Sequence, residues 1–287
     1  MQRMKFAPVF FTAMTLLTPA ATAQCLQGVS GNTTQGGLLW GTVKPGSRVT
    51  LDGEALDVLP DGTTFLGFHR DAPTTAELVV TGKTSCRETL QVTAREYNIQ
   101  RVEGVPQKTV TPPPEQLERI RRERALVGAA KARRLQRPEL LLDALQGFNW
   151  PTTGPVSGVY GSQRYYNGTP RSPHYGVDVA VPTGTPVHAP SAGIVTLAEP
   201  DLFYSGGTVI LDHGFGFSSS FLHMSKVQVA VGQELATGDV IGQVGATGRA
   251  TGPHLDWRMS WRDRRIDPQL LVPPMPAPES TEAMPKP

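Results

Sequence analysis

The chain reads as mainly β: a small N-terminal β domain, a basic helical linker and a C-terminal domain built on an antiparallel β-sheet. Three observations predict this. Short runs of alternating apolar residues recur on both sides of a single strongly helical stretch. With 30 Gly and 26 Pro in 287 residues the chain is rich in turn formers, which favours many short strands over long helices. The helical stretch itself gathers eight Lys or Arg side chains, although the net charge of the whole chain is only +2. That balance gives no broadly basic surface, so no nucleic-acid partner is expected. The length is enough for two domains with a sizeable core.

Taken in order, the first residues carry Arg3 and Lys5, an apolar run from about Phe6 to Leu17, and then Ala21-Thr22-Ala23. This is the layout of a secretory signal (1–23) cut after Ala23. The run is shorter than the ~20 residues of a spanning helix and Pro8 interrupts it, so no transmembrane segment is expected and the mature chain is placed in the periplasm or outside the cell. Cys25 lies just past the cut, but Gln24 stands where a lipid-anchored signal wants a small residue. A Cys25–Cys86 disulfide is expected instead, as an oxidising compartment allows. Residues 24–100 read as the small β domain. Leu38-Leu39-Trp40 and Leu78-Val79-Val80 look like strand pieces, and Asp52-Gly53 and Asp61-Gly62 are turn signals. His69 is the lone histidine here and no catalytic grouping accompanies it, so a spacer or docking role is expected.

Residues 101–114 form a Pro-rich linker, and 115–147 a helical one. The first helix is expected from Glu115 to about Arg137, stopped by Pro138, and a second, shorter one from Glu139 to Gln146. The cations of this stretch read as the face of a solvated helix, docked weakly through Leu117, Ile120 and Val127. The competing reading is attraction to an anionic surface such as membrane or cell wall. From 150 to 272 the pattern returns to short strands, with tight hairpins expected between Val227 and Gly248. Residues 273–287 are Pro-rich and read as a disordered tail.

The chemistry concentrates in that last domain. In Tyr175-Val177-Val179-Val181 the odd positions are apolar, so His174, Gly176, Asp178 and Ala180 share the opposite face. In Leu255-Trp257-Met259-Trp261 the odd positions are again apolar, which groups His254, Asp256 and Arg258. His223, in Phe-Leu-His-Met-Ser, belongs to a third strand-like piece. Imidazoles and carboxylates gathered on one face of a sheet are what a hydrolytic zinc site needs. His188 and His213 are expected to be structural. No His-Glu-x-x-His occurs, so the helix-borne zinc protease site is absent. The hairpins between Val227 and Gly248 carry no lysine, which sets aside a lipoyl or biotinyl carrier.

The runs SPHYGVDVAVPTGTPVHAPSAGIV, GGTVILDHGFGFSSSFLHMS and GATGRATGPHLDW resemble the lysostaphin-type (LytM-domain) zinc metallopeptidases. The resemblance covers about residues 150–272. It implies a metallopeptidase domain acting on the peptide stems or cross-bridges of peptidoglycan. It also implies His174 and Asp178 as zinc ligands, with the third ligand at position 256. His254 is implied as the catalytic base, and His223 as the catalytic histidine that steadies the oxyanion or the substrate carbonyl. Position 256 departs from the family pattern: Asp256 stands where the family has histidine. A carboxylate ligates zinc as well as an imidazole does, but two carboxylates put two negative charges on the ion and weaken it as a Lewis acid. Such a site also admits Mn2+ or Fe2+ more readily. Some relatives that have lost zinc ligands act instead as non-catalytic regulators that bind and activate another cell-wall hydrolase, which would make a cell-wall hydrolase or the division complex a partner of this chain. That is the alternative expectation.

Overall fold

The computed structural model describes residues 24–83, 85–104 and 112–276. The expected signal (1–23), the middle of the expected linker (105–111) and the end of the expected tail (277–287) lie outside the described residues.

The N-terminal part opens with β1 (Gln27–Gly31), β2 (Leu38–Thr42), β3 (Arg48–Leu51) and β4 (Glu54–Leu56). It continues with β5 (Thr63–Gly67), β6 (Thr75–Thr81), β7 (Cys86–Gln91) and β8 (Ile99–Val102). Two antiparallel sheets result, β1-β2-β5 and β4-β3-β6-β7. Alternation sets their inward faces: Ala76, Leu78 and Val80 of β6 are buried while Thr75, Glu77 and Thr81 are exposed. Asp52-Gly53 turns β3 into β4 with both residues at positive φ (50° and 82°), the geometry of a two-residue hairpin. The Cys25–Cys86 disulfide forms across a Cα–Cα distance of 5.6 Å and ties the start of the described chain to β7.

The C-terminal part begins with β9 (Val156–Gly158), β10 (Gln163–Tyr166), β11 (Thr169–Pro170), β12 (Val177–Val179) and β13 (Pro186–His188). The long strands follow, β14 (Gly193–Leu202), β15 (Gly206–Gly214) and β16 (Phe217–Met224). Then come β17 (Lys226–Val227), β18 (Glu234–Leu235), β19 (Val240–Gln243), β20 (Leu255–Trp261) and β21 (Arg264–Ile266). The main sheet is antiparallel in the order β18-β14-β15-β16-β20-β12-β9, with β21 alongside β20. A smaller sheet, β13-β19-β17, holds the Gly-punctuated hairpin region. Residues 101 and 102, expected in the linker, belong instead to β8, because β8 finds a partner: it pairs in parallel with β10.

Helix α1 spans Leu117–Lys131 and α2 spans Pro138–Leu145. The first helix therefore stops short of Pro138. A tertiary contact ends it: the Leu135 N–H donates to Asp212 Oδ2 at 3.2 Å, and the Leu135 carbonyl accepts from Phe215 N–H at 2.8 Å. Arg134 turns at φ 44° to make this possible. Nor is α1 merely a solvated connector. Val127 and Ala130 pack on Leu197 and Leu202 of β14 and Ile210 of β15. Arg119 binds Asp201, and Glu123 accepts from the Phe203 N–H. One core runs unbroken from the N-terminal sheets into the main sheet, with Phe65 set edge-on to Phe217 at 5.7 Å and 6.5 Å from Trp261.

Candidate active site

Pairing of β12 with β20 builds the centre. Val177 and Val179 face the core on one side, as do Leu255, Trp257 and Met259, all with essentially no exposure. The residues between them then share the other face, and the register puts Asp178 directly opposite Asp256. Like charges in that position repel. His174 enters just before β12, its N–H bonded to the Ser162 carbonyl at 2.8 Å. Ligand atoms of His174, Asp178 and Asp256 all lie within 4.8 Å of one another. His174 Nε2 lies 3.1 Å from Asp178 Oδ1, and both atoms are closed off from solvent without a hydrogen-bond partner. Two buried, unpaired donors aimed at each other beside a third fit a divalent cation. Gly158 and Gly176 keep the space open: a Cβ at Gly158 would stand 2.1 Å from Asp178 Oδ2, and one at Gly176 would stand 2.7 Å from Asp256 Oδ1.

Asp256 is not bare. The Arg258 guanidinium grips its carboxylate through Nε at 2.9 and 3.0 Å and Nη2 at 2.5 Å. Burial works against ionisation of Asp256, but the Arg258 charge and hydrogen bonds prevail and hold its carboxyl below the usual carboxylate range. The alternation in β20 placed Arg258 on this face, yet no role followed from the sequence.

His223 arrives by a different device. Val209 of β15 pairs with Phe221 and Gly207 pairs with Met224, so β16 carries one extra residue in a bulge. His223 sits in it at φ 65°, a strained conformation for a side-chain-bearing residue. As a result Leu222 and His223, neighbours in sequence, both line the same groove. His223 Nδ1 donates to the Thr247 carbonyl at 2.8 Å, and His254 Nδ1 to the Gly252 carbonyl at 2.8 Å. With those tautomers each ring keeps a free Nε2 lone pair. The two rings lie 4.8 Å apart. Burial lowers the His223 pKa, so its neutral form is favoured. His188 and His213 stay out of this group. His213 is fully buried between the Ala192 carbonyl (2.7 Å) and Ser219 Oγ (2.9 Å), and His188 bonds the Gly238 carbonyl.

A groove of about 900 Å³ runs along this face, lined by His174, Asp178, His223 and Arg258 and bordered by α1 through Val127 and Lys131. Its open shape suits a polymer segment better than a small enclosed ligand.

Residues 172–268 match the sequence pattern of peptidase family M23. The chain is 36% identical over 121 residues to the peptidoglycan DD-endopeptidase ShyA of Vibrio cholerae, covering 42% of this chain and 28% of that one. It is 37% identical over 110 residues to the DD-carboxypeptidase/endopeptidase Mpg of Neisseria meningitidis, covering 38% and 25%. The matches thus span about a quarter of the length of these curated relatives. A solved structure from Pseudomonas aeruginosa assigned to peptidase M23 is 33% identical, with TM-score 0.63, and the match covers 83% of this chain and 93% of that one. With a match of that extent, and with the family pattern spanning His174, Asp178, His223, His254 and Asp256, the chain belongs to peptidase family M23.

Proposed function

We propose that the chain is an exported, zinc-dependent endopeptidase that hydrolyses peptide bonds in the stems or cross-links of peptidoglycan. The observation that carries this reading is the triad of His174, Asp178 and Asp256, whose ligand atoms lie within 4.8 Å of one another, together with the imidazoles of His223 and His254, whose rings lie 4.8 Å apart. The peptidoglycan DD-endopeptidases among its relatives supply the substrate class. His174, Asp178 and Asp256 would hold the ion, which supplies Lewis acidity toward the scissile carbonyl. His254 takes the proton of the attacking water at Nε2, since its Nδ1–H is spent on the Gly252 carbonyl. For His223 to hold the oxyanion its Nε2 must carry a proton, because its Nδ1–H is fixed by the Thr247 carbonyl. That doubly protonated form is disfavoured by burial in the free protein and favoured by a developing negative charge.

The test is metal content of the purified mature protein, paired with digestion of isolated peptidoglycan with and without chelator. One zinc per chain and chelator-sensitive release of cleaved peptides are expected, with His254→Ala losing at least ~100-fold in rate while retaining the fold. Wild-type cleavage by His254→Ala would remove that histidine from the mechanism. A metal-free protein that cleaves nothing would point instead to the regulator of another wall hydrolase.

A further inference from the structure

The groove has a charge excess that hydrolysis alone does not call for. Seven Lys or Arg residues line it and Asp178 is its one lining carboxylate, in a chain whose net charge is only +2. Two of these cations meet on the strand that carries Asp256. Lys131 Nζ and Arg265 Nη1 converge on a single neutral acceptor, Ser260 Oγ, at 3.5 and 3.0 Å. Among the described residues no carboxylate forms an ion pair with either. Arg258 lies between this point and the metal triad, but its charge is already engaged by Asp256. Nearby on the same face Ser220, which pairs across the sheet with Arg258, has a buried hydroxyl with no hydrogen-bond partner. Burial, with the Arg265 and Arg258 charges next, depresses the Lys131 pKa strongly, and the Asp256 charge offsets this only in part.

We propose that Lys131, Arg265 and Ser220 form a subsite for a free carboxylate of the peptide substrate, so that the enzyme selects stems by a negative charge remote from the scissile bond. Resting on the peptidase reading, this assigns that site its specificity. Its position sets the register. Ser260 lies four residues beyond Asp256 along β20, roughly 13 Å at ~3.4 Å per residue. An extended peptide advances about as much per residue, so the recognised carboxylate sits about four residues from the cleaved bond. Amidation of such a carboxylate removes its charge and with it the group this subsite would recognise. Helix α1, which supplies Lys131, is therefore part of the substrate groove.

The experiment compares two purified cross-linked stem peptides, one with free carboxylates and one with the same groups amidated, on the zinc-loaded full chain. Wild type should show a KM about ten-fold lower for the free form, the order of one charge-assisted contact, with kcat within about two-fold. Lys131→Gln should lose that preference by raising KM on the free form only, and Lys131→Arg should keep it. Equal weakening on both substrates, or no change on either, would overturn the subsite. If wild type cleaves neither peptide, the peptidase reading fails on its own account. Calorimetric binding of the two peptides to wild type and Lys131→Gln then still decides the subsite by the same pattern of preference.

Discussion

At the scale of single residues the instructive position is 256. If His174, Asp178 and Asp256 hold the proposed ion, the two carboxylates bring two negative charges to it, where a site of two histidines and one aspartate brings one. Arg258 restores the balance: its bidentate grip on Asp256 returns the set of four side chains to a net charge of −1. On the proposed reading, aspartate at 256 and arginine at 258 would act together to keep the ion's electrophilicity near that of a one-carboxylate site. Asp256 is only 2% exposed, so removing its partner leaves a buried charge facing Asp178. Arg258→Met is expected to destabilise the metal-free protein by about 3 kcal/mol. Because a bound cation substitutes for the lost guanidinium, zinc should raise the variant's unfolding temperature more than that of wild type. Thermal unfolding of both proteins with and without zinc checks this, and an equal zinc-induced rise in the two would show that Arg258 does not balance the site.

At the scale of elements, β15 carries a histidine, His213, buried between the Ala192 carbonyl and Ser219 Oγ and apart from the candidate site. Burial drives the His213 pKa from 6.5 down to about 4, partly offset by its bond to the Ala192 carbonyl and by Asp143. The folded state therefore keeps the ring neutral where the unfolded chain protonates it. Stability from this group is complete above pH 6.5 and is lost as pH falls toward 4, up to ~3 kcal/mol across that window. His213→Gln should flatten the fall in stability between pH 6.5 and 4, as urea unfolding at several pH values would show; an unchanged slope would place the acid sensitivity elsewhere. The same scale explains what the sequence disclosed. Period-two alternation in 177–179 and 255–261 is enough to put Asp178 and Asp256 each on the polar face of its strand, because the other face is fully apolar, but that the two stand opposite each other follows from the β12–β20 register, which alternation does not encode. The bulge that turns His223 into the groove breaks that alternation, and only the family resemblance located this residue in the site. The sequence extends helix α1 past its observed end at Lys131 because the chain's course there is decided by Asp212 and Phe215, some eighty residues away. Lys131 and Arg265 were missed for a related reason: their convergence on Ser260 depends on helix and hairpin meeting across the sheet, which no local pattern encodes.

At the scale of the whole molecule, the N-terminal β part is fused to the main sheet and does not hang from it. Arg264 pairs with Glu54, Arg262 Nη1 donates to the Ala55 carbonyl at 3.0 Å, and Arg95 pairs with the nearly unexposed Asp267 at 2.8 Å. Together with the Phe65–Phe217 contact, these bonds make separate unfolding costly, since freeing the N-terminal sheets would strip cover from Phe217 and Trp261 and leave Asp267 without its cation. The chain is therefore expected to unfold as one cooperative unit despite its two sheet systems. The Cys25–Cys86 disulfide, spanning 61 residues of the N-terminal part, tests that claim. In the chain-entropy account it contributes about 4 kcal/mol. If the parts are coupled, the Cys25→Ser/Cys86→Ser variant should show one calorimetric transition shifted down as a whole, and the near-ultraviolet signal of Trp257, buried in the far sheet, should melt at that same lower temperature. Two separated transitions, with Trp257 melting at the wild-type temperature, would show that the N-terminal part unfolds alone. The shared core would then contribute too little to couple the two halves.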